Sequence, residues 1–201
     1  MKKGLKFLGG VSFFLCVALL SLALFFPWEA AGRFGGILLQ KQLAPQGVLL
    51  AWQDLESPGA GVFRLFSPRM DLPMADLSLA ECTLALGWGE SLRRFAGVLD
   101  LSFGAGELRV FGKSLSWSGG SARIVYKKGV LHIQSFRSSG EFRGQGDLSI
   151  SLKTRRIATA AVAFRIPPEK DDLVMPLQGF LPLRKGTEAG QWFLEREEGA
   201  P

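Results

Sequence analysis

Residues 99–110 of the 201-residue chain read Leu-Asp-Leu-Ser-Phe-Gly-Ala-Gly-Glu-Leu-Arg-Val. Apolar and polar residues alternate from Leu99 to Phe103, and they alternate again from Glu107 to Val110. An alternation with a period of two is typical of a β-strand that buries one of its faces. Gly104-Ala105-Gly106 separates the two runs, and these glycines indicate a turn. The stretch therefore predicts two short strands joined by a turn.

The same kind of run recurs on both sides of this stretch. Gly87-Trp88-Gly89 and Gly144-Gln145-Gly146 repeat the G-x-G pattern near the starts of strands, which fits a series of hairpins. Turn signals return roughly every 8–12 residues, which favours antiparallel, meander-like strands over parallel strands with crossover helices. A short helix is expected at residues 169–174, after Pro167-Pro168. The other strands are expected at 48–54, 62–66, 77–86, 115–117, 124–126, 130–133, 148–152, 157–166 and 191–195.

The composition is that of a folded, glycine-rich chain. Glycine contributes 25 residues and phenylalanine 16, whereas tyrosine occurs once. The apolar fraction of 47% is too high for a disordered chain, and the glycines follow no collagen-like G-x-y period. About 170 residues follow the uncharged N-terminal segment at 7–28, which is enough for one domain with a sizeable core.

The net charge of +6 is distributed thinly. The basic residues occur in pairs such as Arg93-Arg94, Lys127-Lys128 and Arg155-Arg156, and no basic helix or aromatic-basic RNA-binding module is visible. This distribution favours an ordinary solvated or lipid-facing surface, and we expect no nucleic-acid partner.

The N-terminal segment predicts a transmembrane helix. Residues 7–28 contain no charged side chain, and about 20 apolar residues suffice to cross a bilayer as a helix. Lys2, Lys3 and Lys6 precede the segment, so the positive-inside rule places the N-terminus in the cytoplasm and the remainder outside it. Trp28 lies where an interfacial aromatic anchor is expected.

A cleaved signal peptide is the alternative for this segment. Signal peptides have a shorter apolar core of about 7–15 residues, followed by small residues at the cleavage site. The bulky exit Phe25-Phe26-Pro27-Trp28 therefore favours a retained anchor, and both alternatives place the body of the protein in the same compartment. Residues 28–43 suit a juxtamembrane helix, which Gly32, Gly35 and Gly36 are expected to weaken.

The sequence contains few groups that could perform chemistry. His132 is the one histidine, and it lies in an expected strand; Cys16 and Cys82 are too far apart for a plausible disulfide. The acidic cluster of Glu169, Asp171 and Asp172 suits the start of a helix better than a cation site. We predict no catalytic, cofactor-binding or metal site. Four tryptophans remain as candidates for an apolar groove or for the core: Trp52, Trp88, Trp117 and Trp192.

This layout resembles the type II secretion system protein N family, and more broadly the AsmA-like inner-membrane proteins. The anchor leads into Phe26-Pro27-Trp28-Glu29-Ala30-Ala31, where the family has an apolar helix, a proline-aromatic exit and a short helix. Residues 99–111 look like the family's glycine-rich strands. Residues 144–194 look like its closing run, which comprises a G-x-G strand, a long strand, a short helix and a last strand after glycine.

The resemblance implies a non-enzymatic accessory component of a type II secretion system, acting in protein export through contacts with other secretion proteins. It implies an inner-membrane protein of a Gram-negative cell with its main domain in the periplasm, and no cofactor. The alternative is a lipid-binding or lipid-transfer module, similar to the AsmA-like proteins and the lipopolysaccharide-export bridge, which holds acyl chains on an apolar sheet face.

The expected fold class is mainly β. A transmembrane helix is followed by an antiparallel, curved or sandwich-like periplasmic β-sheet domain with one or two short helices. The expected division of the chain is a cytoplasmic N-terminus and membrane helix at 1–28, a juxtamembrane helix and turn at 29–46, the β-rich domain at 47–196 and a loose tail at 197–201.

Overall fold

The structure is a computed structural model, and it describes residues 14, 17, 21, 25–72, 75–110, 112–154, 156–175, 178 and 181–196. The described part is mainly β, with two antiparallel sheets and few helices, as the sequence predicts. Its α-helices are α1 (Trp28–Leu43) and α2 (Trp88–Arg94), and short 3₁₀ helices cover Ala44–Gln46 and Pro168–Leu173. The strands are β1 (Leu49–Ala51), β2 (Asp54–Gly59), β3 (Val62–Phe66), β4 (Arg69–Leu72), β5 (Ala75–Leu79), β6 (Glu81–Leu86), β7 (Gly97–Phe103), β8 (Gly106–Val110), β9 (Lys113–Trp117), β10 (Gly119–Lys127), β11 (Val130–Ser139), β12 (Arg143–Ser151), β13 (Arg156–Arg165), β14 (Leu183–Lys185) and β15 (Gln191–Arg196).

The small sheet is a folded-over extension of the large one. The large sheet has the order β14-β15-β13-β12-β11-β10-β7-β6-β3-β2, and the small sheet has the order β1-β4-β5-β8-β9. The strands of the small sheet continue β2, β3, β6, β7 and β10 of the large sheet, and their neighbours are the same in both sheets. The chain passes between the sheets at residues 52–53, 67–68, 80, 104–105 and 118.

Backbone hydrogen bonds continue through this bend. The Ser67 N–H donates to the Ala80 carbonyl at 2.9 Å, and the Ala80 N–H donates to the Ala105 carbonyl at 2.8 Å. Because neighbouring strands stay bonded where they bend, the backbone polar groups remain paired without a break in the ladder. The fold is therefore both curved and sandwich-like.

The bend corrects the hairpin interpretation of the G-x-G sites. β7 pairs with β6 and β10, whereas β8 pairs with β5 and β9, so Gly104-Ala105-Gly106 joins two strands that do not form a hairpin. Gly87 precedes α2, a helix that the sequence did not predict, and Gly144-Gln145-Gly146 lies within β12. The predicted strands at 48–54 and 77–86 are each divided by the bend into two strands.

Cross-strand pairing aligns the apolar residues of the large sheet on one face. Leu86, Leu99, Ile124, Ile133 and Leu148 are successive partners across five adjacent strands. Directly paired residues point to the same side of a sheet, so this row defines an inner face. The row of Asp100 and Arg123 lies on the opposite, outer face, which is polar at this row.

Two glycines of α1 allow close packing against the sheet. A Cβ at Gly32 would lie 2.7 Å from Phe63 Cδ1, and a Cβ at Gly36 would lie 2.6 Å from Trp52 Cη2. Residues four apart occupy the same side of a helix. Gly32 and Gly36 thus permit contact with the sheet, whereas a Cβ at Gly35 would meet nothing within 4 Å.

The predicted membrane segment and the predicted tail lie largely or wholly outside the described residues. Of residues 7–28, the structure describes 14, 17, 21 and 25–28, and residues 197–201 are not described. Among the described residues, no helix is both long enough and apolar enough to cross a membrane.

The crowding at the bend gives a direct test of its geometry. A Cβ at Gly106 would lie 2.6 Å from Trp117 Cζ2 and 2.7 Å from the Ser78 carbonyl oxygen. We expect Gly106→Ala to lower the free energy of unfolding by about 1–3 kcal/mol, because a backbone atom cannot move aside as easily as a side chain can. Urea titration of the full chain in detergent micelles, followed by tryptophan fluorescence, measures the change.

Gly104→Ala is the matched control at the same bend. Its Cβ would lie 3.2 Å from Glu81 Cγ, which belongs to a flexible side chain. We expect this change to alter the free energy of unfolding by no more than about 0.5 kcal/mol. Equal losses in the two variants would contradict the packing described for Gly106.

Candidate functional site

An apolar cavity of about 360 Å³ lies between the two sheets and is the candidate functional site. We call it the interlayer cavity. Every side chain that lines it among the described residues is apolar. Its lining consists of Leu108, Val110, Leu115, Ile133, Phe136, Phe142, Leu148, Val162, Phe164, Ile166, Leu173, Val174, Leu181, Leu183 and Leu194.

Because the sheet bends over on itself, the small sheet and the large sheet form opposite sides of this cavity. Leu108, Val110 and Leu115 come from β8 and β9 of the small sheet, and they lie opposite residues of β11, β12, β13 and β15 in the large sheet. Ile133 and Leu148 belong to the apolar row of the inner face. The cavity therefore forms where the folded-over strands cover only part of that face.

A cluster of buried side chains closes one side of the cavity. Leu115, Ile166, Val174 and Trp192 form a hydrophobic core, and Trp192 is only 1% exposed. Phe142, Phe164, Leu173 and Leu183 pack against this core and also line the cavity. The wall of the cavity is therefore part of the folded core.

Asp171 fixes the position of this wall through a buried carboxylate. The carboxylate accepts hydrogen bonds from Trp192 Nε1 at 2.9 Å and from Lys185 Nζ at 2.5 Å, while Lys185 Nζ lies 5.6 Å from the centre of the Trp192 ring. The side chain of Asp171 is 12% exposed. The bond from Lys185 and the bond from Trp192 lower the pKa of Asp171, although burial acts in the opposite sense.

Glu141 covers the free edge of the small sheet. Its carboxylate accepts hydrogen bonds from the backbone N–H and the hydroxyl of Ser116 in β9, each at 2.9 Å, and from Lys170 Nζ at 2.7 Å. The Phe142 N–H donates to the Ser116 carbonyl at 2.9 Å. The bonds from Lys170 and Ser116 lower the pKa of Glu141 to about 2. The backbone N–H and carbonyl of Ser116, at the edge of the small sheet, are thereby satisfied.

The interlayer cavity is suited to hold an apolar group. Ligand sites are typically concave, predominantly apolar and about 300–1,000 Å³ in volume. Depressions of about 540 and 480 Å³ lie on the outer face, but their linings include charged side chains such as Arg123 and Asp147. The described residues that line the interlayer cavity supply packing surface, and none of them is an acid, a base or a nucleophile.

The structure separates the residues that the sequence singled out. His132 Nδ1 lies 2.9 Å from Ser149 Oγ in the large sheet, and half-buried Cys82 lies in β6, where burial raises the pKa of its thiol. Glu169 and Asp171 lie in the first turn of a helix, the 3₁₀ helix at 168–173, whereas Asp172 lies near its end and forms an ion pair with Lys113.

Each of the four tryptophans lies in a different environment. Trp192 is in the core beside the cavity, and Trp117 lies against Phe103 at the bend, with ring centroids 6.4 Å apart. Trp52 faces Gly36 of α1, and Trp88 is 48% exposed. None of the four lines the interlayer cavity. Leu108, Leu115 and Phe142 do line it. Their apolar character is visible in the sequence, but the bend is what brings them to one cavity.

Comparison with known families gives one result that covers nearly the whole chain. A family model described as type II secretion system protein GspN-like, Synergistales, matches residues 5–196. Searches of curated proteins and of solved structures found no match. The match supports the resemblance to the secretion family and gives no support to the broader AsmA-like assignment.

The buried carboxylate of Asp171 predicts an asymmetric effect of two neighbouring substitutions. Asp171→Asn removes a buried, charge-assisted interaction with Lys185, and we expect a loss of roughly 1–3 kcal/mol in the free energy of unfolding. Asp172→Asn removes an exposed ion pair and is expected to cost less than about 1 kcal/mol. Urea titration monitored by the fluorescence of the tryptophans measures both; an effect of Asp172→Asn as large as that of Asp171→Asn would refute this assignment.

The buried carboxylate of Asp171 also predicts that the free energy of unfolding depends on pH. The folded-state pKa of Asp171 is lowered from its ordinary value of 3.8, so the stabilisation is complete above that value and is lost as the pH falls through the folded pKa. We expect the stability difference between wild type and Asp171→Asn to be constant from about pH 5 to 8 and to shrink below about pH 4.

Proposed function

The chain belongs to the GspN-like family of type II secretion system proteins, and we propose that it is a non-enzymatic accessory component of the apparatus, anchored in the inner membrane. In this proposal the β-rich domain lies in the periplasm and acts through contacts with other secretion proteins. The observation that supports it most directly is the family match over residues 5–196.

The anchoring is supported by the N-terminal sequence. The 22 residues at 7–28 lack charge, and Lys2, Lys3 and Lys6 lie on the side expected to face the cytoplasm. α1 begins at Trp28 and packs on the β domain through Gly32 and Gly36, so the body is joined to the segment without a flexible linker. A retained helix would therefore hold the domain close to the bilayer.

Action through protein contacts is supported by the surface of the large sheet. Its outer face presents ordered polar groups, including the ion pair between Arg123 Nε and Asp100 Oδ1 at 2.7 Å. The sheet edge at β2 lies against α1, which restricts the addition of strands from a partner there. The broad polar face thus offers side chains for contacts within the apparatus.

The interlayer cavity favours a second candidate function. A partly open apolar space of about 360 Å³ beneath the small sheet has the size and lining of a site for part of an acyl chain. The alternative is therefore a lipid-binding or lipid-transfer module, in which the inner face holds an acyl chain during passage near the membrane.

The anchor and its orientation can be tested in a Gram-negative cell that has the secretion apparatus. We expect the full chain to stay in the membrane pellet after an alkaline carbonate wash, because an apolar helix is not extracted with peripheral proteins. In a Cys16→Ser, Cys82→Ser background, an impermeant maleimide applied to spheroplasts should label Leu49→Cys but not Lys3→Cys. Release by carbonate, or the reverse labelling, would be incompatible with the proposed topology. In the same cells, deletion of the protein should lower export of the secreted enzymes, and the full chain should restore it.

A variant with a filled cavity separates the two functions. Val162→Phe enlarges a side chain that lines the interlayer cavity, whereas Ala161→Phe adds an aromatic ring to the adjacent, exposed position of β13. A lipid carrier should show co-purifying lipid by native mass spectrometry, and Val162→Phe should reduce its occupancy about tenfold or more while Ala161→Phe does not. Full export activity of a Val162→Phe protein without lipid would exclude the carrier function and favour the protein-contact role.

A further inference from the structure

The end of the large sheet opposite the bend brings together turns that are distant in sequence. β2 meets β3 at Gly59 and Val62, β10 meets β11 at Lys127 and Val130, and β12 meets β13 at Ser151 and Arg156. The connection from β6 through α2 to β7 reaches the same end. We call the described residues of this end, 59–62, 86–97, 126–130, 151–154 and 156, the basic rim.

The cations of the basic rim are exposed and form no ion pair with any described residue. By contrast, Arg33, Lys170 and Lys185 elsewhere in the protein are paired with carboxylates. Within the rim as described, Glu90 is the one carboxylate, and its oxygen lies 3.5 Å from Arg123 Nη1. The rim therefore has a positive charge that the fold does not neutralise. Its cations are Arg93, Arg94, Lys127, Lys128, Lys153 and Arg156.

Large apolar side chains project from the same surface. Trp88, Leu92 and Phe95 are 48%, 75% and 93% exposed. Phe95 ends α2 with a φ of 48°, in the left-handed region where a glycine or asparagine is usual, and its N–H donates to the Ser91 carbonyl. A phenylalanine so exposed gains almost no packing within this chain. An apolar tip flanked by arginines is typical of segments that lie in a membrane interface.

The end of the apolar N-terminal segment lies beside this surface. The rings of Trp28 and Trp88 are in edge contact with centroids 5.5 Å apart, and Phe26 lies 4.7 Å from Trp28. The predicted membrane segment ends at Trp28, so the bilayer surface begins next to α2. The charge of the rim and its position beside the predicted membrane segment both indicate that the rim contacts the membrane surface. Anionic headgroups attract clustered basic residues within a Debye length.

We propose that the basic rim docks on the anionic headgroup surface of the membrane, with Leu92 and Phe95 inserted at the boundary between headgroups and acyl chains. The strands of the large sheet then point away from the bilayer, and the bend is the end furthest from it. This inference rests on the membrane anchor of the proposed function.

The test places an environment-sensitive dye at single cysteines of the full chain reconstituted in vesicles. The background carries Cys16→Ser and Cys82→Ser, and the labelled positions are Phe95→Cys on the rim and Leu38→Cys on α1. Leu38 is a matched control, because it is apolar and 46% exposed but lies ten residues, about 15 Å, along the helix from Trp28. The vesicles are phosphatidylcholine alone, or an equal mixture of phosphatidylcholine and phosphatidylglycerol.

We expect the dye at position 95 to shift to shorter wavelength and to be quenched by spin-labelled lipid in the anionic vesicles only. The emission of the dye at position 38 should indicate a water-exposed environment in both kinds of vesicle. Lys127→Gln/Lys128→Gln should reduce the inserted population about tenfold or more, whereas Arg69→Gln/Arg137→Gln, which removes two exposed cations outside the rim, should leave it unchanged. Salt of about 1 M should abolish the shift.

Other results would overturn the docking mode. A dye at position 95 that stays in water on anionic vesicles would do so, and protection of it only by an acidic secretion protein would assign the rim to that partner. A shift at position 38 instead would place α1 on the membrane. The anchor is scored separately by retention after a carbonate wash. If the chain is retained but the dye at position 95 remains in water, only the docking of the rim is refuted. If the chain is washed off but binds anionic vesicles through position 95, only the membrane anchor is refuted.

Discussion

Neighbouring strands of this protein stay hydrogen-bonded while the sheet folds over, and this requires all of them to bend along one line. The bonds from Ser67 to Ala80 and from Ala80 to Ala105 lie along that line. A strand that bent one residue earlier than its neighbours would leave backbone groups unpaired and would turn its apolar residues to the outer face. The bend therefore fixes the register of every strand that crosses it. Gly106 lies where Trp117 and the Ser78 carbonyl leave no space for a side chain.

The interlayer cavity is a consequence of the same bend. The small sheet covers part of the inner face, and the remaining strands extend beyond its last strand, β9. The free edge of β9 is then closed by Glu141, and the wall is fixed by the contacts of Asp171 with Lys185 and Trp192. These interactions fix the wall of the cavity, and the described side chains that line the cavity are all apolar. The acidic residues near position 170 thus contribute to the architecture of the cavity.

The two ends of the large sheet have different properties. At the bend end, β2, β3, β6, β7 and β10 continue into the small sheet, whereas the opposite end presents exposed aromatic rings and cations that pair with no carboxylate among the described residues. α1, with 16 residues and a length of about 24 Å, connects these ends, since it begins at Trp28 beside α2 and reaches Trp52 at the bend. In the proposed topology, the end of the sheet beside α2 lies next to the bilayer, and the bend lies at the far end.

The sequence by itself determined the class of the fold, because alternation such as that of Leu99 to Phe103 requires a half-buried strand wherever it pairs. It also located α1 and the final strand, and it gave the resemblance to the secretion family that the family match supports. It could not distinguish a bend from a hairpin at Gly104-Ala105-Gly106, since glycine suits both and the difference lies in which distant strand becomes the partner. The pairs Arg93-Arg94 and Lys127-Lys128 looked scattered for the same reason. Only the tertiary structure decided that they share one rim and that Leu108 and Leu148 line one cavity, because pairing between distant strands is set by the register of the whole sheet.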